Sequence, residues 1–321
     1  MEFNFGSDPN ATESARTLSN LQKYLNIMIN APSTLDIIVF PEMTLNGMET
    51  AVETKEPNDA LAPCENNFYP SGNLIREISC SAKNFKRYVV ANIVTKVKCP
   101  DEDMINNKDP RDCKKREDGF SYYNTNLVFD RTGRLISRYR KFNLFGEDVD
   151  KPHAPAMITF ETDFGVRFGH FICFDLMFRK PALELVRKEN VTDIVFTTMW
   201  FSEMPFLTGV QIQQNWAYSN NVNLLAAGAN NPKIGSTGTG IYAAKQGSLI
   251  SVMNGKNDTQ LYTATVPKLG TQSFITQVQV KHDKIEMQPL YLKRDQLDKY
   301  QIRFSKFLWG LRTCFSNNFF H

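Results

Sequence analysis

The sequence predicts an α/β fold built on a mixed sheet. Three observations lead there. Segments of helical and of strand character alternate along most of the 321 residues. Some neighbouring strand segments are joined by tight turns, which gives antiparallel pairs beside the crossovers. Several apolar strand segments also stop at a residue that carries chemistry, as strands do at the carboxyl edge of an open sheet.

The elements follow in order. Leu18, Leu21, Leu25 and Met28 recur at helical spacing, so residues 10–30 read as a helix. Residues 35–40 read as a strand, and 46–70 as a polar loop. Residues 72–84 form a short helix with Leu74, Ile75 and Ile78 inward. The β-branched run 87–97 is a strand, followed by a long charged loop over 98–119. Residues 122–129 and 134–139 are strands around the turn sequence Asp130-Arg131-Thr132-Gly133. Strands near 156–160 and 166–173 precede a helix over 181–189. A strand over 193–198, a helix over 208–221 and a strand over 223–229 come next, the last stopped by Asn230-Asn231-Pro232. Two more strands are expected near 246–253 and 260–266. After Pro267 the pattern weakens, and residues 271–321 show no tidy element.

Hydrophobic residues make up 42% of the chain, enough for a packed core. A net charge of +3 gives no basic face for nucleic acid. No apolar run has the length of a membrane span. The first residues have neither a basic n-region nor an apolar h-region, so no signal peptide is read there. Two features still point to secretion. Sequons place candidate glycans on Asn10, Asn190 and Asn257. Cys64, Cys80, Cys99 and Cys113 cluster in polar sequence with no CxxC pair and no nearby His, which favours disulfides over a metal site. Of three connectivities, Cys64–Cys80 with Cys99–Cys113 closes the short loops. Cys314 has no obvious partner, and no metal is expected.

Cys173 lies apart from that cluster, at the end of the strand 166–173. A thiol attacks as thiolate and needs a proton acceptor. His170 is an odd number of strand residues away, so it faces the other side of the sheet. Nothing singles out His153, and His282 and His321 fall in the weakly patterned end. A carboxylate can serve instead. Glu42 follows Pro41 at one strand exit, and Lys141 stands at another. Glu42 would take the thiol proton, Lys141 would hold the developing oxyanion, and the Phe174 backbone N–H would be a second donor to it. Each residue alone has an ordinary reading: a solvated Glu, a surface Lys, a buried thiol.

The surrounding sequence separates these readings. Val39-Phe40-Pro41-Glu42, Arg140-Lys141-Phe142-Asn143-Leu144-Phe145-Gly146-Glu147 and Cys173-Phe174-Asp175 occur in that order. Together they resemble the signatures of the nitrilase superfamily of carbon–nitrogen hydrolases. Pro9-Asn10-Ala11-Thr12, Tyr123-Asn124-Thr125-Asn126 and Gly238-Thr239-Gly240-Ile241-Tyr242 narrow the resemblance to its vanin/biotinidase branch, over about residues 8–270. The resemblance implies a four-layer αββα sandwich and amide hydrolysis through a Cys173 thioester, with Glu42 as base and Lys141 stabilising the tetrahedral intermediate. It gives Glu147 a positioning role and puts Trp200 in the substrate pocket. It implies a small-molecule amide as partner and no cofactor. Pantetheine, cleaved to pantothenate and cysteamine, is the preferred substrate; a biotinyl amide is the alternative. A catalytically silent secreted binding or structural glycoprotein on the same fold is a reading of another class. Against the family, the chain is expected to lack its first strand or keep only its end at Phe3–Phe5. Residues 1–270 would be the hydrolase domain, and 271–321 a linker or the start of a β-rich domain.

Overall fold

The computed structural model describes residues 1–5, 10–59, 61–99, 117–203, 208–269 and 278–285, and the backbone of 300–307 and 310–317. Two units are distinct, Met1–Gln288 and Pro289–His321. The first opens with β1 (Glu2–Phe3) and α1 (Glu13–Asn30). The Thr12 side chain caps α1 by accepting from the Ala15 N–H at 3.2 Å. The helix buries Thr17, Asn20, Leu21, Tyr24 and Met28. Leu18, expected inward, is 59% exposed, because the Tyr24 ring stacks on Phe40 and sets the helix's inner face.

β2 (Ile37–Val39) is followed by α2 (Leu74–Phe85), β3 (Tyr88–Lys98), β4 (Phe120–Phe129) and β5 (Leu135–Arg140). The four strands form a sheet in the order β2-β3-β4-β5. β2 and β3 are parallel, and the other pairs antiparallel. The β4–β5 turn forms where expected. The Asp130 carboxylate accepts from the Thr132 and Arg134 N–H groups, and Gly133 sits at φ +81°. A Cβ at Gly133 would lie 2.6 Å from the Ser79 carbonyl, so α2 also requires glycine there.

The second sheet contains β6 (Thr159–Glu161), β7 (Arg167–Ile172), β8 (Asp193–Thr198), β9 (Asn223–Ala229), β10 (Thr239–Ala243), β11 (Ser248–Met253) and β12 (Gln279–His282). Its order is β12-β11-β10-β9-β8-β7-β6, and β1 pairs in parallel with the end of β9. α3 (Glu184–Arg187) and α4 (Gly209–Asn220) complete the unit. Leu21, Ile75, Ile78, Val90 and Leu127 pack in one core that reaches Val195 and Ala227 of the second sheet. Ile194, Phe196 and Leu224 point the other way, to Leu185, Trp216 and Ala217. That alternation along β8 gives the four layers αββα, as the resemblance implied.

The boundaries differ from expectation in a few places. Residues 261–266 are not a strand: Gln260 exchanges both backbone bonds with Glu2, and the rest lines a groove against Ile37–Val39. The helix over 181–189 shortens to α3 after an irregular turn, since Pro181 brings no N–H. β10 and β12 escaped the sequence reading. Gly240 interrupts the first, and every residue of the second is exposed, so it carries no burial alternation. The second unit contains the antiparallel hairpin β13 (Tyr300–Phe307) and β14 (Gly310–Asn317), where no tidy element was expected.

The disulfide Cys64–Cys80 forms, with a Cα separation of 4.8 Å. Cys99 is also disulfide-bonded. Its expected partner Cys113 lies outside the described residues. Among the described residues, no helix is long and apolar enough to cross a membrane.

Candidate active site

Three strand exits from two facing sheets meet at one end of the sandwich. β2 leads to Glu42, 2% exposed, and the chain turns away at Met43 with φ +52°. Lys141 follows β5, 1% exposed, its backbone N–H donating to the Asn124 carbonyl at 2.9 Å. Cys173 follows β7, is buried, and opens the 3-10 turn Cys173–Met177 at φ +46°. A left-handed conformation costs a β-carbon residue energy, so the surroundings must hold it. Asp175 does so. Its carboxylate accepts from the Ile172 N–H at 3.2 Å and the Tyr139 hydroxyl at 2.7 Å. Its other oxygen accepts from the Asn143 backbone and side-chain amides at 2.9 and 2.8 Å. One buried carboxylate therefore ties the Cys173 turn to the loop after Lys141.

The Lys141 ammonium donates to Glu42 Oε1 at 2.7 Å and pairs with Glu147. Asn124 Nδ2 donates to the same Glu42 oxygen at 2.7 Å. The Met199 N–H, at the exit of β8, donates to the other at 2.7 Å. The Cys173 sulfur lies 3.7 Å from the Met199 carbonyl. Lys141 and Glu42 are buried and Glu147 is partly so; the buried pair survives only through its partners.

The electrostatics follow. Burial alone would lower the Lys141 ammonium, but Glu42, the Cys173 sulfur and Glu147 raise it above its ordinary value. It stays a cation at any working pH. Burial works against the Glu147 charge, yet Lys141 holds that carboxyl below its usual range. Burial and the Glu42 charge push the Cys173 thiol up, and Lys141 opposes them. The resting sulfur is thus held as a thiol, and the Glu42 carboxylate lies beside it.

A small cleft over Cys173 is lined by Phe145, Phe174, Met199, Trp200, Phe201 and Glu203. The Phe145 ring lies 5.0 Å from Phe174 and 6.2 Å from Phe201. Trp200 is therefore a cleft residue, only 5% exposed. Phe174 follows Cys173 in the same turn and lines this cleft. His170 lies elsewhere, bonded through Nε2 to Ser137 Oγ at 2.9 Å, and burial drops its pKa to about 3. The sequon residues Asn10, Asn190 and Asn257 are exposed. Among the described residues, no cluster could hold a metal ion.

Sequence reasoning missed Asn124, the Met199 amide, Asp175 as a clamp, and the ring of Phe145 and Phe201. A signal for Asn124 existed. Asn124 and Asn126 are buried on one face of a strand that is otherwise apolar there, an unusual expense without a purpose.

A family model for carbon-nitrogen hydrolase matches residues 6–274. Vanin-like protein 1 of Drosophila melanogaster is 44% identical over 85% of this chain and 49% of its own length. Pantetheinase of Mus musculus is 38% identical over 64% of this chain and 41% of its own, and Biotinidase of Homo sapiens 35% over 67% and 40%. The chain spans about half the length, or less, of these curated relatives. Nit3 of Saccharomyces cerevisiae, a solved member of branch 10 of the nitrilase superfamily, shares the fold with TM-score 0.55 at 18% identity, covering 78% of this chain and 83% of that one. With a sandwich whose strand exits bring Glu42, Lys141 and Cys173 together and a family match over most of its length, this chain belongs to the carbon–nitrogen hydrolase family.

Proposed function

We propose that the chain hydrolyses a linear small-molecule amide through a thioester on Cys173, and that pantetheine is its substrate. One observation carries the chemistry: a buried thiol facing a carboxylate that is itself held by a buried ammonium. Glu42 takes the thiol proton as sulfur adds to the amide carbon. Lys141 and the Phe174 N–H face the oxyanion. Glu42 returns the proton to the departing amine, the C–N bond breaks, and the acyl group remains on sulfur. Glu42 then takes a proton from water, hydroxide adds to the thioester carbon, and the C–S bond breaks. The sulfur is reprotonated and the acid leaves. Glu147 positions Lys141, and the Trp200 wall packs against the bound acyl group. No step needs a cofactor.

Pantetheine is chosen because the overall likeness is to vanin-like sequences. The sequons and the disulfides suit a secreted glycoprotein carrying sugar on Asn10, Asn190 and Asn257. Residues 1–270, together with β12, act as the hydrolase domain in this reading, and the rest of 271–321 as a linker or the start of a β-rich domain. Incubation with pantetheine should release cysteamine, measured as new primary amine. Turnover of a biotinyl peptide with none of pantetheine would reassign the substrate, and turnover of neither would leave a silent binding protein on this fold.

A further inference from the structure

Behind Glu42 lies a closed ring of hydrogen bonds that the reaction scheme does not use. β3 and β4 pair with Asn92 opposite Asn126 and Val94 opposite Asn124, so the three asparagines share one face of the sheet. All three are at most 1% exposed, in the layer between the two sheets. A buried amide can point either way, and its neighbours decide which. Here the decision starts at the backbone. The Met43 N–H, next to Glu42, donates to Asn92 Oδ1 at 2.9 Å. That fixes the Asn92 amide, because a backbone N–H can only donate. Asn92 Nδ2 must then face β4, where it donates to Asn124 Oδ1 at 2.7 Å and Asn126 Oδ1 at 3.0 Å. With its oxygen taken, Asn124 presents Nδ2 to Glu42 Oε1 at 2.7 Å. The ring thus runs from the peptide of Glu42 and Met43 through two side chains back to the Glu42 carboxylate. Asn126 is a branch: its Oδ1 also accepts from Thr197 Oγ1 at 2.8 Å, and its Nδ2 makes no hydrogen bond to Glu42 or any other group among the described residues.

We infer that Asn92 and Asn124 are positioning residues that aim Glu42. The ring hands the orientation of one backbone N–H to the carboxylate. It leaves Asn124 a donor toward Glu42 Oε1, beside Lys141, while Oε2 accepts from the Met199 N–H. A reversed Asn124 would put an oxygen against Glu42, which repels it. The inference rests on Glu42 acting as the base.

The test measures the rate at which iodoacetamide alkylates Cys173 near neutral pH, and kcat and KM for pantetheine, in Asn124→Ser, Asn126→Ser and Glu42→Gln. Both serine variants remove one buried amide from the same strand. Asn126 Nδ2 has no partner among the described residues, whereas Asn124 Nδ2 donates to a carboxylate, so Asn126→Ser should cost no more thermal stability than Asn124→Ser. Asn124→Ser should slow alkylation and lower kcat on the order of 10- to 100-fold, the worth of a hydrogen bond to a charged group, with KM nearly unchanged. Asn126→Ser should stay close to wild type in both. Equal rates in Asn124→Ser and wild type, with Glu42→Gln slow, would overturn the ring while leaving the base in place. Equal losses of alkylation rate and kcat in the two serine variants would make the ring a structural strut and overturn it. A Glu42→Gln protein alkylated at the wild-type rate would remove the base and the ring together. Should Asn124→Ser not fold, Asn92→Ser frees the same amide to rotate and must show the same loss. Unchanged rates in that variant, or failure of both to fold while Asn126→Ser folds, would also overturn the inference.

Discussion

At the scale of residues, the site is an exchange of buried charge. Lys141 is held by Glu42 and Glu147, and none of the three would be tolerated alone in that layer. Lys141→Met should therefore do two things. It should destabilise the fold by about 3–5 kcal/mol, read as a lower denaturant midpoint, because it leaves two carboxylates facing each other. It should also abolish amide hydrolysis. A Lys141→Met protein as stable as wild type would show that the Asn124, Met199 and Phe145 donors alone hold the two carboxylates. Glu42, Lys141 and Cys173 were legible in the sequence through the motifs around them, since each motif marks a strand exit. The clamp by Asp175 was not. Its four donors come from residues 139 to 172, and no local spacing announces a carboxylate that bridges two loops.

At the scale of elements, strands announced themselves where one face is buried and turn residues bound them. β4, β8 and β9 are buried almost throughout and kept their expected limits to within two residues. β12 failed that test because all of it is exposed, and it is placed only by pairing with β11. Residues 261–266 failed in the opposite sense. They are apolar enough for a strand, but only Gln260 has a ladder partner. The covalent tie between the loop before α2 and the helix is the other feature at this scale. Cys64 and Cys80 are 16 residues apart. Cys64→Ala with Cys80→Ala should cost about 2–4 kcal/mol, seen as a lower Tm. An unchanged Tm would mean that the loop is held by its other contacts, such as the Cys64 N–H donating to Ser79 Oγ at 3.0 Å.

At the scale of the molecule, two sheets face each other and their interior sets which groups ionise. His170 shows this most plainly. It lies between the sheets against Ser137, and its pKa falls from 6.5 to about 3 on burial. The unfolded chain takes up that proton below pH 6.5 while the folded chain refuses it. Its contribution to stability is thus complete above pH 6.5 and is lost as pH falls toward 3. His170→Gln should flatten the acid side of the stability curve by up to ~1.4 kcal/mol per pH unit in that window. Parallel curves for the two proteins would contradict it. Strand alternation does not extend to Cys173, which lies past the end of β7 in a turn at φ +46°; His170 bonds to Ser137 of the facing sheet instead. The same sandwich brings the Cys173, Glu42 and Lys141 exits to one end, and that convergence is the central claim. Pantetheine hydrolysis by wild type and by Cys173→Ala, followed as cysteamine release, tests it most directly. The account predicts release by wild type, with an acylated Cys173 peptide in acid-quenched samples, and none by Cys173→Ala. Equal release by the two proteins would contradict it.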